Sequence, residues 1–148
     1  MILKILKDIA DFGNQLYRNI PILAPANFQR WVAIVPARDR ALLDDLVNTL
    51  RRASQQFRIE LAQPLVIALD GQSEQHYERA VEERVPPEAQ LVVCIFPTTG
   101  RHSGYHRVKQ LLCLNRGIPS QCVQSKYVII VTSNYELFIL GHFRRREC

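Results

Sequence analysis

Apolar residues change their spacing along this chain in a regular way, and each change predicts an element. At positions 2–17, Ile2, Ile5, Leu6, Ile9 and Phe12 recur at helical spacing with charges between them, which predicts an amphipathic helix. Gly13, Pro21 and Pro25 end it, so 19–30 reads as a linker. Trp31 to Val35 is a short apolar strand stopped by Pro36. Over 40–53, Leu42, Leu43, Leu46, Val47 and Leu50 fall on one helix face. Gln63 to Leu69 predicts a second strand, and Asp70-Gly71 a turn. Residues 73–85 predict a more polar helix, with Ser73 as candidate N-cap and Tyr77, Ala80 and Val81 facing inward.

Leu91 to Phe96 is apolar at every position, as expected of a central parallel strand covered on both faces. A polar loop, 97–104, leads to a helix from about Tyr105 to Asn115 with Val108, Leu111, Leu112 and Leu114 as its candidate core face. Gly117 is a plausible C-terminal cap for it. Ser120 to Val123 reads as a short strand, and 127–131 and 136–140 as two more. Strands and helices alternating in this order predict an α/β domain, a Rossmann-like open, mainly parallel sheet with flanking helices. The expected organisation is a helix and linker over 1–30, the α/β domain over 31–126, and a strand-like tail over 127–148. Trp31 is expected to anchor the core under the first strand.

Composition adds two constraints. Apolar residues make up 47% of the 148, enough for a hydrophobic core and against disorder as a whole-chain state. The net charge of +5 is unevenly spread: 1–100 carry a balance of −1, and 101–148 a balance of +6. A basic surplus confined to the last third points to a polyanion such as nucleic acid, against the simpler reading of a solvated basic tail. The four cysteines show no C-x-x-C spacing, so a zinc ribbon is not indicated, and Cys94 inside its apolar run reads as a small buried hydrophobe. Lys4, Lys7, Asp8 and Asp11 break up the apolar N-terminus, unlike a signal peptide, and no stretch has the length of a membrane span. A reducing compartment is expected, the cytoplasm first and the nucleus second, with no membrane partner.

Candidate chemistry gathers where an open parallel sheet binds ligands, beyond the carboxyl ends of its strands. There the loop offers Thr98, Thr99, Gly100, Arg101, His102 and Ser103, and the following helix places Tyr105 and Lys109 four apart on one face. A tyrosine can stack on a base, and a lysine suits phosphate oxygens. Taken as a pair they are as easily a surface tyrosine and a solvated lysine. Gln121 and Lys126 lie downstream, where the next strand could return beside the helix start. No Walker-type phosphate loop, dinucleotide fingerprint or nucleophile elbow is present. His102 and His106 have metal-ligand spacing without a nearby acidic or thiol partner in sequence, and Asp44-Asp45 and Glu82-Glu83 read as solvated helix faces.

The run Leu91-Val92-Val93-Cys94-Ile95-Phe96-Pro97, the polar loop, Tyr105-His106-Arg107-Val108-Lys109 and Ile118-Pro119-Ser120-Gln121-Cys122-Val123 together resemble the Mid domain of the Argonaute/Piwi family, its Piwi branch in particular. The likeness spans about 31–126 and is most specific over 91–123. It implies that Tyr105 stacks under the first base of a guide RNA. It implies that Lys109 and Gln121, with the backbone at Cys122, hold the 5′-phosphate, and that the loop from Thr98 reads the first nucleotide. Lys126 follows the glutamine as in some relatives. The family's second phosphate lysine has no counterpart, since Leu140, Gly141 and His142 occupy its neighbourhood. No dedicated cofactor is implied, although some Piwi relatives complete the site with a divalent ion such as Mg2+.

The function expected from the resemblance is therefore a binding module, not an enzyme: a piece of a longer silencing protein, without its nuclease domain. Its partner would be a small single-stranded RNA with a 5′-phosphate, piRNA-like, and other silencing proteins beside it, with no DNA. The residues alone also fit a small α/β nucleotide- or metabolite-binding domain, or an interaction fragment without RNA binding.

Overall fold

The computed structural model describes residues 27–56, 59–98 and 104–133. The predicted helix at 2–17, most of the linker, loop positions 99–103 and the predicted strand at 136–140 lie outside the described residues. Four strands form one parallel sheet in the order β2-β1-β3-β4. These are β1 (Trp31–Pro36), β2 (Leu65–Leu69), β3 (Leu91–Phe96) and β4 (Ser120–Gln124). Helices α1 (Arg40–Gln56), α2 (Glu74–Arg84) and α3 (Gly104–Lys109) follow the first three strands, and α4 (Ser125–Ser133) follows the last. The expected open α/β sheet is present, with helices on both faces.

The apolar runs sit at the centre because only there are both faces covered. Every residue of β1 and β3 is buried. Their alternation divides the core into two layers. Val32, Ile34, Val92 and Cys94 pack with Tyr77, Val81, Val108 and Leu112 from the α2 and α3 side. Trp31, Ala33, Val35, Val93 and Ile95 pack with Leu43, Leu46, Val47 and Leu50 of α1, and with Val128 of α4. Trp31 is the expected anchor, only 1% exposed, and its indole N–H donates to the Ala62 carbonyl at 2.7 Å. Asp44, Asp45, Glu82 and Glu83 are exposed, as read from the sequence.

The segment 127–131 is not a strand. It lies within α4, whose Val128 is wholly buried against α1 while Ile129 is half exposed. A short β-branched run is ambiguous from spacing alone. Here the helix start is decided from outside the segment. Thr98, just past β3, accepts the Lys126 backbone N–H at 3.0 Å, and its hydroxyl meets that of Ser125 at 2.8 Å. That contact satisfies one of the orphan donors of a helix start.

The helix that begins as α3 changes character at Gln110. Over Gln110–Asn115 it widens to a π-helical turn, with more residues per turn than an α-helix. Val108, Leu111 and Leu112 keep the core face, but the wider turn swings Leu114 out to 80% exposure. The sequence reading of Leu114 as a core candidate assumed regular α spacing. Gly117 ends the element at φ +64, a conformation that suits glycine, and the Ile118 N–H closes onto the Leu112 carbonyl at 2.8 Å.

Arg116 then reaches across to the end of α2, where its guanidinium donates to the carbonyls of Val81 and Val85, both at 2.7 Å. A cation on the orphan carbonyls of a helix C-terminus is favourable twice, through the hydrogen bonds and the dipole. Arg116→Ala is expected to lower the unfolding free energy by about 2 kcal/mol in urea titration, since it leaves partly buried acceptors unpaired. An unchanged midpoint would show these bonds to be dispensable.

Candidate functional site

The carboxyl ends of β1, β3 and β4, with the starts of α2, α3 and α4, form one edge of the molecule. Loop exit and loop return are both pinned there. Thr98 is tied to the start of α4 as described. Gly104 is buried, and a Cβ added to it would meet Phe96 Cε1 at 3.3 Å and Glu74 Cα at 3.5 Å. The Glu74 distance is ordinary contact, so a side chain here would need only the Phe96 ring to give by a few tenths of an ångström. Under this point, Phe96 stacks on Tyr77 with ring centroids 4.4 Å apart, and the Tyr77 hydroxyl donates to the Ile95 carbonyl at 2.7 Å. Burial, then the neighbouring Cys94 and Asp39, push the Tyr77 phenol well above its ordinary pKa, so it stays a neutral donor.

Lys109 is the site residue that the structure positions most firmly. It ends α3 half buried, and its ammonium donates to the carbonyl of Ser120 at the start of β4, at 2.5 Å. A lysine has three N–H donors, so two have no partner among the described residues. Cys122 lies within the same electrostatic neighbourhood. Its thiol is held below the ordinary range first by a hydrogen bond from Cys94 and further by the Lys109 charge, with burial opposing both. Tyr105, half buried, sits one turn before Lys109 and meets the His106 ring edge-on with centroids 5.3 Å apart.

Gln121 is placed differently. It pairs with Val93 in the ladder, while Ser120 pairs with Val92 and Cys122 with Cys94. Strand alternation therefore sends Gln121 toward the α1 and α4 side, opposite to Cys122 and Cys94. Its amide donates to the Cys122 carbonyl at 3.2 Å, and β4 is an edge strand. Lys126 is exposed in the first turn of α4, with its ammonium 4.9 Å from the Tyr127 ring centre. So Lys109, Ser120 and Cys122 are brought together, Thr98, Ser125 and Lys126 form a second group, and Gln121 stands on the other side of the ladder from Cys122. Thr99, Gly100, Arg101, His102 and Ser103 lie outside the described residues.

The sequence reading missed what becomes of the basic surplus. Arg107 binds Glu78 of α2 through its Nε at 2.8 Å and a second guanidinium nitrogen, and Arg116 is spent on α2 carbonyls. Of the four basic side chains in the described part of that region, two serve the fold. Glu78 was the only advance signal, an acid on the solvent side of a polar helix. Also missed was Asp39, which follows β1 at the same edge. Its Oδ2 is buried without a hydrogen-bond partner among the described residues. It lies where the connections from β1 and β3 diverge, the usual ligand crevice of such sheets.

Among the described residues, no group of three or more His, Cys, Asp or Glu is placed to hold a metal ion. None of the helices described is long and apolar enough to cross a membrane. A cavity of about 220 Å³ opens at the opposite end of the strands, among Arg30, Trp31, Leu65 and Glu88, away from all the residues above.

No family model matches the chain. Against curated sequences it is 29% identical over 119 residues to Piwi-like protein 1 of Danio rerio, covering 80% of this chain. The chain spans 14% of the length of that relative. Among solved structures, Drosophila Piwi superposes with a TM-score of 0.72 at 23% identity, covering 88% of this chain and 18% of that one. The Arabidopsis thaliana AGO5 MID domain superposes with a TM-score of 0.63 at 23% identity, covering 81% of this chain and 88% of that domain. The match to an isolated MID domain at high coverage of both chains identifies the shared fold unit.

Proposed function

We propose that this chain, a homologue of the Piwi/Argonaute proteins with the fold of their Mid domain, holds the 5′-phosphorylated end of a small, piRNA-like guide RNA in RNA silencing. The observation that carries this reading is the anchored ammonium of Lys109. Its bond to the Ser120 carbonyl fixes where the charge sits and leaves two donors for an anion. Tyr105, one turn earlier on the same helix, supplies an aromatic face for the first base. The resemblance gives the reading of that base to the residues after Thr98, and the flanking Thr98 and Gly104 both lie at this edge. Gln121 and Lys126, on or after the edge strand, would contribute from the border of the site. The reading is of a binding module, and it asks no bond-breaking chemistry of these residues.

The test compares one short RNA carrying a 5′-phosphate with its 5′-hydroxyl twin, alongside a free nucleoside monophosphate, at several salt concentrations. The phosphorylated RNA is expected to bind about ten- to a hundredfold more tightly, the worth of roughly 1.5–3 kcal/mol for a charge-assisted contact. Equal binding of the two RNAs, weakening together as salt rises, would reduce the interaction to nonspecific attraction and end this reading. Tight binding of the monophosphate with no gain from RNA would favour a metabolite-binding domain instead.

A further inference from the structure

We propose that Cys94 and Cys122 form a peroxide-oxidisable thiol pair that closes to a disulfide across the β3–β4 ladder. The two residues are register partners on adjacent parallel strands. Such neighbours have Cα atoms about 4.8 Å apart, inside the range of roughly 4.4–6.8 Å that a disulfide spans. Both side chains lie on the α2 and α3 side, where Cys94 belongs to the buried core and Cys122 packs against it. Both are free thiols.

Their surroundings differ in a way that assigns the roles. Cys94 is fully buried, and its thiol is pushed up by its pairing with the Cys122 sulfur and by burial. Cys122 is only half buried and lies in the field of the Lys109 ammonium, which lowers its thiol, so it is the more accessible sulfur and has the more thiolate character. An oxidant reaches Cys122 first. The Cys122 thiolate attacks one oxygen of hydrogen peroxide, the O–O bond breaks, and the departing hydroxide takes a proton to become water. The resulting sulfenic acid is attacked by the Cys94 sulfur. An S–S bond forms, the S–O bond breaks, and the hydroxyl leaves as a second water with the Cys94 proton. The two thiols lose two electrons and two protons in all, and the peroxide gains them. Cys113 has a different neighbour. It is exposed, and its sulfur is 3.3 Å from the Ser120 hydroxyl.

The inference stands apart from RNA binding, and its test uses no RNA. The full chain carrying Cys113→Ser and Cys148→Ser is treated with graded hydrogen peroxide, alkylated with N-ethylmaleimide under denaturing conditions, and weighed intact. Both alkyl adducts are expected to disappear together, with a mass lower by two hydrogens, a linked peptide holding Cys94 and Cys122, and full reversal by dithiothreitol. With Cys94→Ser added, Cys122 is expected to proceed to the sulfinic acid. If that variant does not fold, Cys122→Ser serves, and Cys94 should then keep its adduct at every dose. Retention of both adducts under peroxide that oxidises free glutathione would overturn the proposal. So would overoxidation of Cys122 while Cys94 keeps its adduct in the pair-containing chain.

Discussion

Replacing Lys109 by alanine is expected to weaken binding of a 5′-phosphorylated RNA by about ten- to a hundredfold and to leave its 5′-hydroxyl twin nearly unchanged. The range follows from roughly 1.5–3 kcal/mol for a hydrogen bond to a charged group, at about 1.4 kcal/mol per tenfold. Two features favour the large end. The ammonium is half buried, where water screens it less. Its contact with the Ser120 carbonyl holds it in place before any ligand arrives, so little side-chain freedom is lost on binding. Gln121→Ala should lose less, because strand alternation turns that amide to the other side of the ladder from Cys122. Lys109→Arg is not expected to restore full affinity, since a planar fork cannot reproduce a point charge seated on one carbonyl. Titration of both RNAs with each variant decides the matter. If both RNAs lose affinity equally in Lys109→Ala while its unfolding midpoint matches the unsubstituted chain, the lysine is not reading the phosphate.

The second large effect concerns stability. Val128→Asp is expected to lower the unfolding free energy by about 3 kcal/mol or more, enough to unfold a marginal domain, because it buries a carboxylate without a partner. Val128 is wholly buried between α4 and α1, in the layer that also holds Trp31, Leu43 and Val93. Ile129→Asp is the matched control. That position is 48% exposed, and the same change there should matter by about 0.5 kcal/mol. Urea denaturation followed by circular dichroism measures both. Equal, small effects would mean that α4 does not cover α1 in solution, and the strand-like reading of 127–131 would regain its standing.

Much of the fold was legible because its signals are local. The six apolar residues of β3 match the predicted strand end to end, since burial on both faces leaves no polar position to blur its limits. The helical spacing over 40–53 predicted Leu42, Leu43, Leu46, Val47 and Leu50 as one face; the last four are buried, and Leu42 is partly buried against the same layer. Tyr77, Ala80 and Val81 follow the same rule in α2. Leu114 broke it, because a widened turn changes the period on which the reading rests. The candidate site was read as a set of residue types on three adjacent segments, and the placing of Lys109 beside Ser120 needed only the crossover from helix to strand. Which of Gln121 and Cys122 faces the lysine depended on the register of β4 against β3.

By itself, then, the order of apolar runs and helical stripes determined an open parallel α/β sheet and where its ligand edge must lie, because backbone hydrogen bonding and side-chain period act within a few residues of each other. Tertiary structure decided the rest. Segment 125–133 became a helix because Thr98 met its first free N–H and α1 presented a face to cover. Arg107 and Arg116 became struts rather than a basic surface, because an acid and two helix-end carbonyls lay within reach across the fold. Charge and thiol chemistry are set by what lies opposite in space, and the partners here are 11 to 35 residues away along the chain.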